Sequence, residues 1–242
     1  MKLALMADGN VGLGILQYLL DRYPEDICIV VTTEKNEIFN TAKANGIPVR
    51  VFESSEQLAT ELPDGVGLGL LAWWPKIVKS PLLELPKHGF VNTHPSFLPY
   101  NRGKHYNFWA LVEQSPFGVT LHRVDAGVDT GDIISQQAIA YDWCDNGGSL
   151  YFKAQEAMLS LFSQTYPVLR TGRFESKPQN LAAGSFHRAC EIENASHIDL
   201  DRSYRARDLI DLLRARTFEG YSGCWFEEAG NRYEISIVVR KI

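Results

Sequence analysis

Four short apolar runs, residues 2–7, 27–33, 67–72 and 89–93, punctuate the first hundred residues, each too short for a helix and apolar without alternation. Such runs suit strands covered on both faces, as in a parallel sheet, rather than the half-solvated strands of an antiparallel one. After the first run comes a turn at Asp8 to Asn10, and then Leu13, Leu16, Tyr18, Leu19 and Leu20 supply the apolar positions of a helix. The second run leads into a polar helical stretch that stops at Asn45-Gly46, before a short strand over 47–52. This alternation predicts an α/β fold with an open, mostly parallel sheet.

Beyond Gly118 the pattern changes to two strand-like runs, 119–124 and 132–141, joined through a turn containing Gly127 and Gly131. A long helix follows from Ser149, with Leu150, Ala154, Ala157, Met158, Leu161, Phe162, Thr165, Val168 and Leu169 as its apolar stripe. Residues 171–185, rich in Gly, Pro, Ser and polar groups, read as a boundary between a domain over 1–185 and a smaller α+β subdomain over 186–242. In the latter, Ala206, Leu209, Ile210 and Leu213 form one face of a helix. A hairpin over 225–228 and 233–239 turns at Ala229-Gly230-Asn231. The apolar side chains of that hairpin exceed what one short helix covers, so this surface needs a partner: a homodimer through this subdomain is expected, with folding back onto the larger domain of the same chain as the alternative.

The charge balance excludes some classes of partner. Twenty-four Lys plus Arg against 29 Asp plus Glu leave a net charge of −5, which argues against nucleic acid and anionic membrane. The first apolar run breaks at Asp8, short of a signal-peptide core, and no stretch approaches the ~20 apolar residues of a membrane span. A cytoplasmic protein is expected. Cys28, Cys144, Cys190 and Cys224 are widely separated and form no Cys-x-x-Cys pair, so neither a metal site nor a redox motif is expected.

Gly9, Gly12 and Gly14 occupy the first βα turn, but their spacing is not that of a dinucleotide fingerprint. A tight turn and close helix–sheet packing account for them, with a ligand-facing loop as the alternative. Asn92 and His94 end the fourth run, where ligands bind in open α/β sheets. Two apart on an extended segment, they project to the same side, so an amide and an imidazole converge on one point.

The stretch from Val91 to Leu111 contains Asn92, His94, Pro95, Ser96, Leu98 and Pro99. The stretch from Gly118 to Ile134 contains His122, Val124, Asp129, Gly131 and Ile133. Together they resemble the folate-dependent formyltransferases. The resemblance implies a Rossmann-like core and formyl transfer from 10-formyltetrahydrofolate to an amine, with Asn92, His94 and Asp129 catalytic. Those residue types suit the chemistry: an amide and an imidazolium stabilise a developing oxyanion, and a carboxylate accepts a proton or steadies the imidazolium. His122 reads as scaffold and Asp132 as a strand-entry residue. Folate contacts are expected from Leu71, Ala72, Trp73 and Trp74 and from the loop containing Val124, Asp125 and Gly127.

The stretch around Arg102, Gly103 and Lys104 and the tail over 198–218 look like those of sugar-nucleotide N-formyltransferases. The resemblance thus implies a nucleotide-linked amino-deoxy sugar as acceptor, on a dTDP carrier, for a surface polysaccharide such as O-antigen. Candidate substrate contacts are Asp8, Asn10, Arg102, Gly103, Lys104, Arg214, Arg216, Phe218 and Tyr221. For Arg214 and Arg216 the alternative is pairing with Asp208 or Asp211. Rival acceptors are glycinamide ribonucleotide and methionyl-tRNA, and a catalytically silent folate-binding protein is the rival of another class.

Overall fold

The computed structural model describes residues 1–242, and the early apolar runs become strands of one sheet. In chain order come β1 (Leu3–Ala7), α1 (Gly9–Arg22), β2 (Ile27–Thr32), α2 (Glu37–Ala44), β3 (Val49–Val51), α3 (Ser55–Glu61), β4 (Leu68–Ala72) and β5 (Phe90–His94). Then follow β6 (Arg102–Gly103), α4 (Tyr106–Val112), β7 (Gly118–Arg123), β8 (Ile133–Ala138) and α5 (Gly147–Leu169). The chain closes with β9 (Phe186–His187), α6 (Glu191–Ala195), α7 (Ala206–Arg216), β10 (Cys224–Glu228) and β11 (Asn231–Ile235). The main sheet runs β3-β2-β1-β4-β5-β7-β8. Its first five strands pair in parallel, and β7 joins β5 antiparallel. The order reverses between β1 and β4, the switch point at which open α/β sheets bind ligands.

Two compact units are interleaved in sequence. The first comprises Met1–His94, Thr120–Gln136 and Met158–Gln179; the second comprises Pro95–Val119, Gln137–Ala157 and Asn180–Ile242. In the first, every residue of β1 and β4 is buried, as continuous apolar runs require. One apolar cluster joins Ala4, Met6, Ile29, Val31, Leu71 and Phe90. Helix α1 starts directly after Asp8, which caps it by accepting a bond from the Gly9 N–H at 3.0 Å. Its buried positions are Val11, Gly12, Ile15, Leu16 and Leu19, so Leu13, Tyr18 and Leu20, which are half-buried, lie off the observed stripe. A Cβ on Gly12 would stand 3.1 Å from the Ala72 carbonyl oxygen, so this glycine serves close helix–sheet packing.

Other expectations need correction. In α5, Val168 is exposed and Tyr166 is buried in its place, donating to Asp26 Oδ2 at 2.9 Å. The segment read as a boundary is divided: up to Gln179 it is tied to the first unit, where Ile133 and Lys177 exchange backbone bonds of 2.8 Å and Gln179 donates to carbonyls of the loop after β7, and from Asn180 it belongs to the second. In the second unit, α7 buries Asp211, Arg214 and Ala215, while Ala206 and Ile210 are exposed. Its packing against α4 therefore uses a face that hydrophobicity alone did not indicate. The hairpin turns on Ala229 and Gly230 alone, at φ 49° and 76°, as a two-residue turn requires. Strand β11 ends at Ile235 rather than continuing to 239, because the Ile237 N–H leaves the ladder and donates to Thr217 Oγ1 at 3.2 Å.

Candidate active site

The register of β5 on β7 assembles the site. Asn92 lies opposite His122, and His94 opposite Thr120. Directly opposed residues share a sheet face, so Asn92, His94 and His122 point the same way, while Leu121 and Thr93 point the other. Thr93 uses its position to join neighbouring strands: its hydroxyl donates to the Leu71 carbonyl at 3.1 Å and accepts from the Trp73 N–H at 2.8 Å.

The loop after β7 folds back to add Asp129. Asp125 braces it, with Oδ1 accepting from the Gly127 N–H at 3.0 Å and from Thr130 Oγ1 at 2.7 Å. Gly131 has no space for a side chain, since a Cβ would stand 1.9 Å from the Arg123 carbonyl oxygen. Asp129 itself adopts φ 53°, a left-handed conformation that costs a non-glycine residue ~1–2 kcal/mol. The result of this conformation is convergence. Asp129 Oδ1 lies 3.4 Å from His94 Nδ1, 3.4 Å from Asn92 Nδ2 and 3.6 Å from His122 Nε2.

His122 lies within hydrogen-bond distance of Asn92 and 3.6 Å from Asp129. Its Nδ1 is 2.7 Å from the Arg123 carbonyl oxygen, which can only accept, so Nδ1 carries a proton. With the ring neutral, Nε2 then accepts from Asn92 Nδ2 at 3.2 Å. The signal was present in the sequence, since His122 is part of the second motif. His94 and His122 are 4% and 2% exposed, enough burial to strengthen electrostatic effects at a reacting atom. The nitrogens of His94 and His122 and a carboxylate oxygen of Asp129 lie within 4.8 Å of one another, a separation a cation could bridge. The Asn92 amide directed at His122 Nε2, however, occupies the lone pair that a metal would take.

The other sequence-derived candidates divide between the units. In the first unit, the carbonyls of Leu71 and Ala72 already accept from Thr93 Oγ1 and the Asp8 N–H, the latter at 3.1 Å. Trp73 stands half-buried at φ 56°. Trp74 packs edge-on against Phe52 at 5.4 Å beside the core cluster. Val124 is half-buried, Asp125 and Gly127 are exposed in the loop, Asp8 is a helix cap and Asn10 is exposed. In the second unit, Arg102 and Gly103 form β6, which pairs with β9, and Lys104 is exposed beside them.

Arg214 is a correction to the candidate substrate contacts. It is 5% exposed, donates through Nε to Asp211 Oδ1 at 2.7 Å, and also holds the carbonyls of Asp142 and Asp145. Its guanidinium is used within the unit, as the Asp211 alternative expected. Arg216 reaches Glu193 at 3.6 Å, Phe218 packs on Tyr221 at 4.7 Å, and Tyr221 is 67% exposed.

A family profile described as "Formyl transferase" matches residues 3–165, and one described as "N-formyltransferase dimerization C-terminal domain" matches 191–241. A dTDP-4-amino-4,6-dideoxyglucose formyltransferase of Mycobacterium bovis is 29% identical over 142 residues. That match covers 59% of this chain and 60% of the relative, so the chain matches less than two thirds of that protein's length. A crystal structure of a 4-N formyltransferase from Francisella tularensis superposes with a TM-score of 0.82 at 22% identity, covering 100% of this chain and 98% of that one. An N-formyltransferase from Helicobacter canadensis, described in complex with folinic acid and dTDP-3-aminofucose, gives a TM-score of 0.74 at 23% identity over 95% of this chain and 85% of that one. By the profile that spans most of its length, the chain belongs to the formyl transferase family.

Proposed function

We propose that the chain transfers a formyl group from 10-formyltetrahydrofolate to the amine of a nucleotide-linked amino-deoxy sugar, with dTDP as the carrier. The observation that carries this reading is the convergence of Asn92 and His94 on Asp129 Oδ1, each at 3.4 Å. The folate supplies an activated formyl carbon. Asn92 Nδ2 and a protonated His94 donate to the formyl oxygen as charge builds there, Asp129 steadies the imidazolium and receives the proton the amine must lose, and that proton passes to N10 of the folate as its bond to the formyl carbon breaks and tetrahydrofolate leaves. The acceptor amine attacks directly, so turnover falls at low pH as it becomes an ammonium. Relatives named for dTDP-amino-sugar formylation favour this acceptor. The −5 net charge weighs against tRNA.

The reading includes a cytoplasmic enzyme serving surface polysaccharide assembly, and a homodimer. The second unit presents Tyr221, Tyr233 and Val238 at 67%, 45% and 74% exposure within the region matched by the dimerization profile, which supports pairing there. The test is incubation with 10-formyltetrahydrofolate and a panel of nucleotide amino sugars, followed by weighing of the products. A mass gain of one formyl group on a dTDP-sugar supports the proposal. Formylation of glycinamide ribonucleotide alone, or of no panel member, refutes it. His94→Ala and Asp129→Asn are expected to keep the fold and to lower turnover by ~10²-fold or more.

A further inference from the structure

Gln179 lies in the polar stretch after α5, far in sequence from every motif residue, yet its side chain reaches the loop that carries Asp129. Its Nε2 donates to the Asp129 carbonyl at 2.9 Å and to the Gly131 carbonyl at 2.6 Å. One amide nitrogen thus uses both hydrogens to span the turn on which the acid sits. The reach is fixed two residues earlier, where Lys177 and Ile133 exchange backbone bonds of 2.8 Å. The amide orientation is also fixed, because a flipped side chain would set its oxygen against two carbonyl oxygens.

We propose that Gln179 is a positioning residue for the transfer reaction: it clips the Asp129–Gly131 turn and so holds the Asp129 carboxylate against His94 and Asn92. Three observations converge on this role. Asp129 is in the left-handed region at φ 53°, which the surroundings must impose. The Asp125 brace ties the loop to itself, through Gly127 and Thr130, and does not anchor it to the body of the unit. Gln179 Oε1 is buried without a hydrogen-bond partner, so this amide leaves its own acceptor unsatisfied while serving two carbonyls of the turn.

The chemistry of this inference rests on the formyl-transfer reading, so the test has one readout that depends on activity and one that does not. Gln179→Glu keeps the shape but replaces the donor with an acceptor, and Gln179→Met keeps the length and removes both hydrogens. Hydrogen exchange of the full chain is expected to quicken over residues 125–131 in both variants and to match the wild type elsewhere. Turnover per folded protein is expected to fall roughly tenfold to a hundredfold, with KM for the acceptor within about twofold. Unchanged exchange in the loop, or unchanged turnover in a variant whose loop has loosened, overturns the proposal. If the wild type transfers no formyl group, the exchange result still decides whether Gln179 holds the turn, and the failure belongs to the functional reading. If the Glu variant does not fold, the Met variant carries both measurements.

Discussion

His122 holds Asn92 by its amide: Nε2 stands 3.2 Å from Asn92 Nδ2, and the other ring nitrogen is 2.7 Å from the Arg123 carbonyl. A backbone carbonyl thereby sets the tautomer of the neutral ring, the tautomer leaves an acceptor at Nε2, and that acceptor orients the Asn92 amide beside Asp129. Replacing His122 by Phe keeps bulk but removes the acceptor. Turnover is expected to fall roughly tenfold to a hundredfold, because misplacing a catalytic group by an ångström has effects of that size. His122→Gln, which restores an oxygen acceptor, should recover part of the loss. Steady-state kinetics of the two variants, with KM for the acceptor little changed, checks the assignment.

Arg214 is expected to matter for stability and not for acceptor binding. It is buried against Asp211, and removing one member of a buried ion pair typically costs about 3–5 kcal/mol. Arg214→Met should therefore lower the melting temperature markedly, while the folded fraction keeps its KM for the nucleotide sugar. A large rise in KM with an unchanged melting temperature would return Arg214 to the list of substrate contacts.

Stability should be lost on the acid side. Burial alone would raise the Asp26 carboxyl, but Arg170, the Met1 ammonium and the Tyr166 hydroxyl together hold it below the ordinary range. At Asp145 burial is likewise outweighed, by Lys153, a backbone N–H and Ser149. A carboxyl depressed in the folded state stabilises fully above its unfolded pKa of ~3.9 and stops doing so as pH falls through the lower folded value. Melting temperature is expected to hold above about pH 5 and to drop steeply below ~4. Asp26→Asn should melt lower at neutral pH and show a shallower acid slope. An equally steep slope in that variant would place the acid sensitivity elsewhere.

Thiol chemistry should divide the cysteines into two pairs. Cys144 and Cys190 are exposed, Cys28 is half-buried and Cys224 is fully buried. Burial raises both inner thiols, that of Cys224 to about 12. Brief alkylation of the native protein, mapped by mass spectrometry, is expected to label Cys144 and Cys190 and to spare the other two.

What the sequence disclosed depended on whether a signal was local. The β1, β2, β4 and β5 strands were visible because burial on both faces leaves continuous apolar runs, and Asn92 and His94 because strand periodicity puts them on one side. His122 stands in the second motif, but its approach to Asn92 depends on the pairing register of two strands thirty residues apart, which strand periodicity alone does not give. Gln179 left no signal, since a polar side chain in a polar stretch looks the same whether it meets water or the loop that carries Asp129. The face of α7 was misjudged for a related reason: Asp211 and Arg214 neutralise each other in the interior, and a hydrophobic stripe does not anticipate that.

The interleaving of the two units constrains the order in which the chain can acquire structure. Helix α4, with Phe108, Ala110 and Leu111 buried, packs against α7, about a hundred residues further along the chain. During synthesis α4 is made early and must wait for its partner helix. Protease resistance of ribosome-bound chains should accordingly appear in this unit only after residue 216 has emerged. Until then the growing polypeptide carries a Phe-Trp-Ala-Leu segment without its partner helix, a natural target for the chaperones that meet nascent chains.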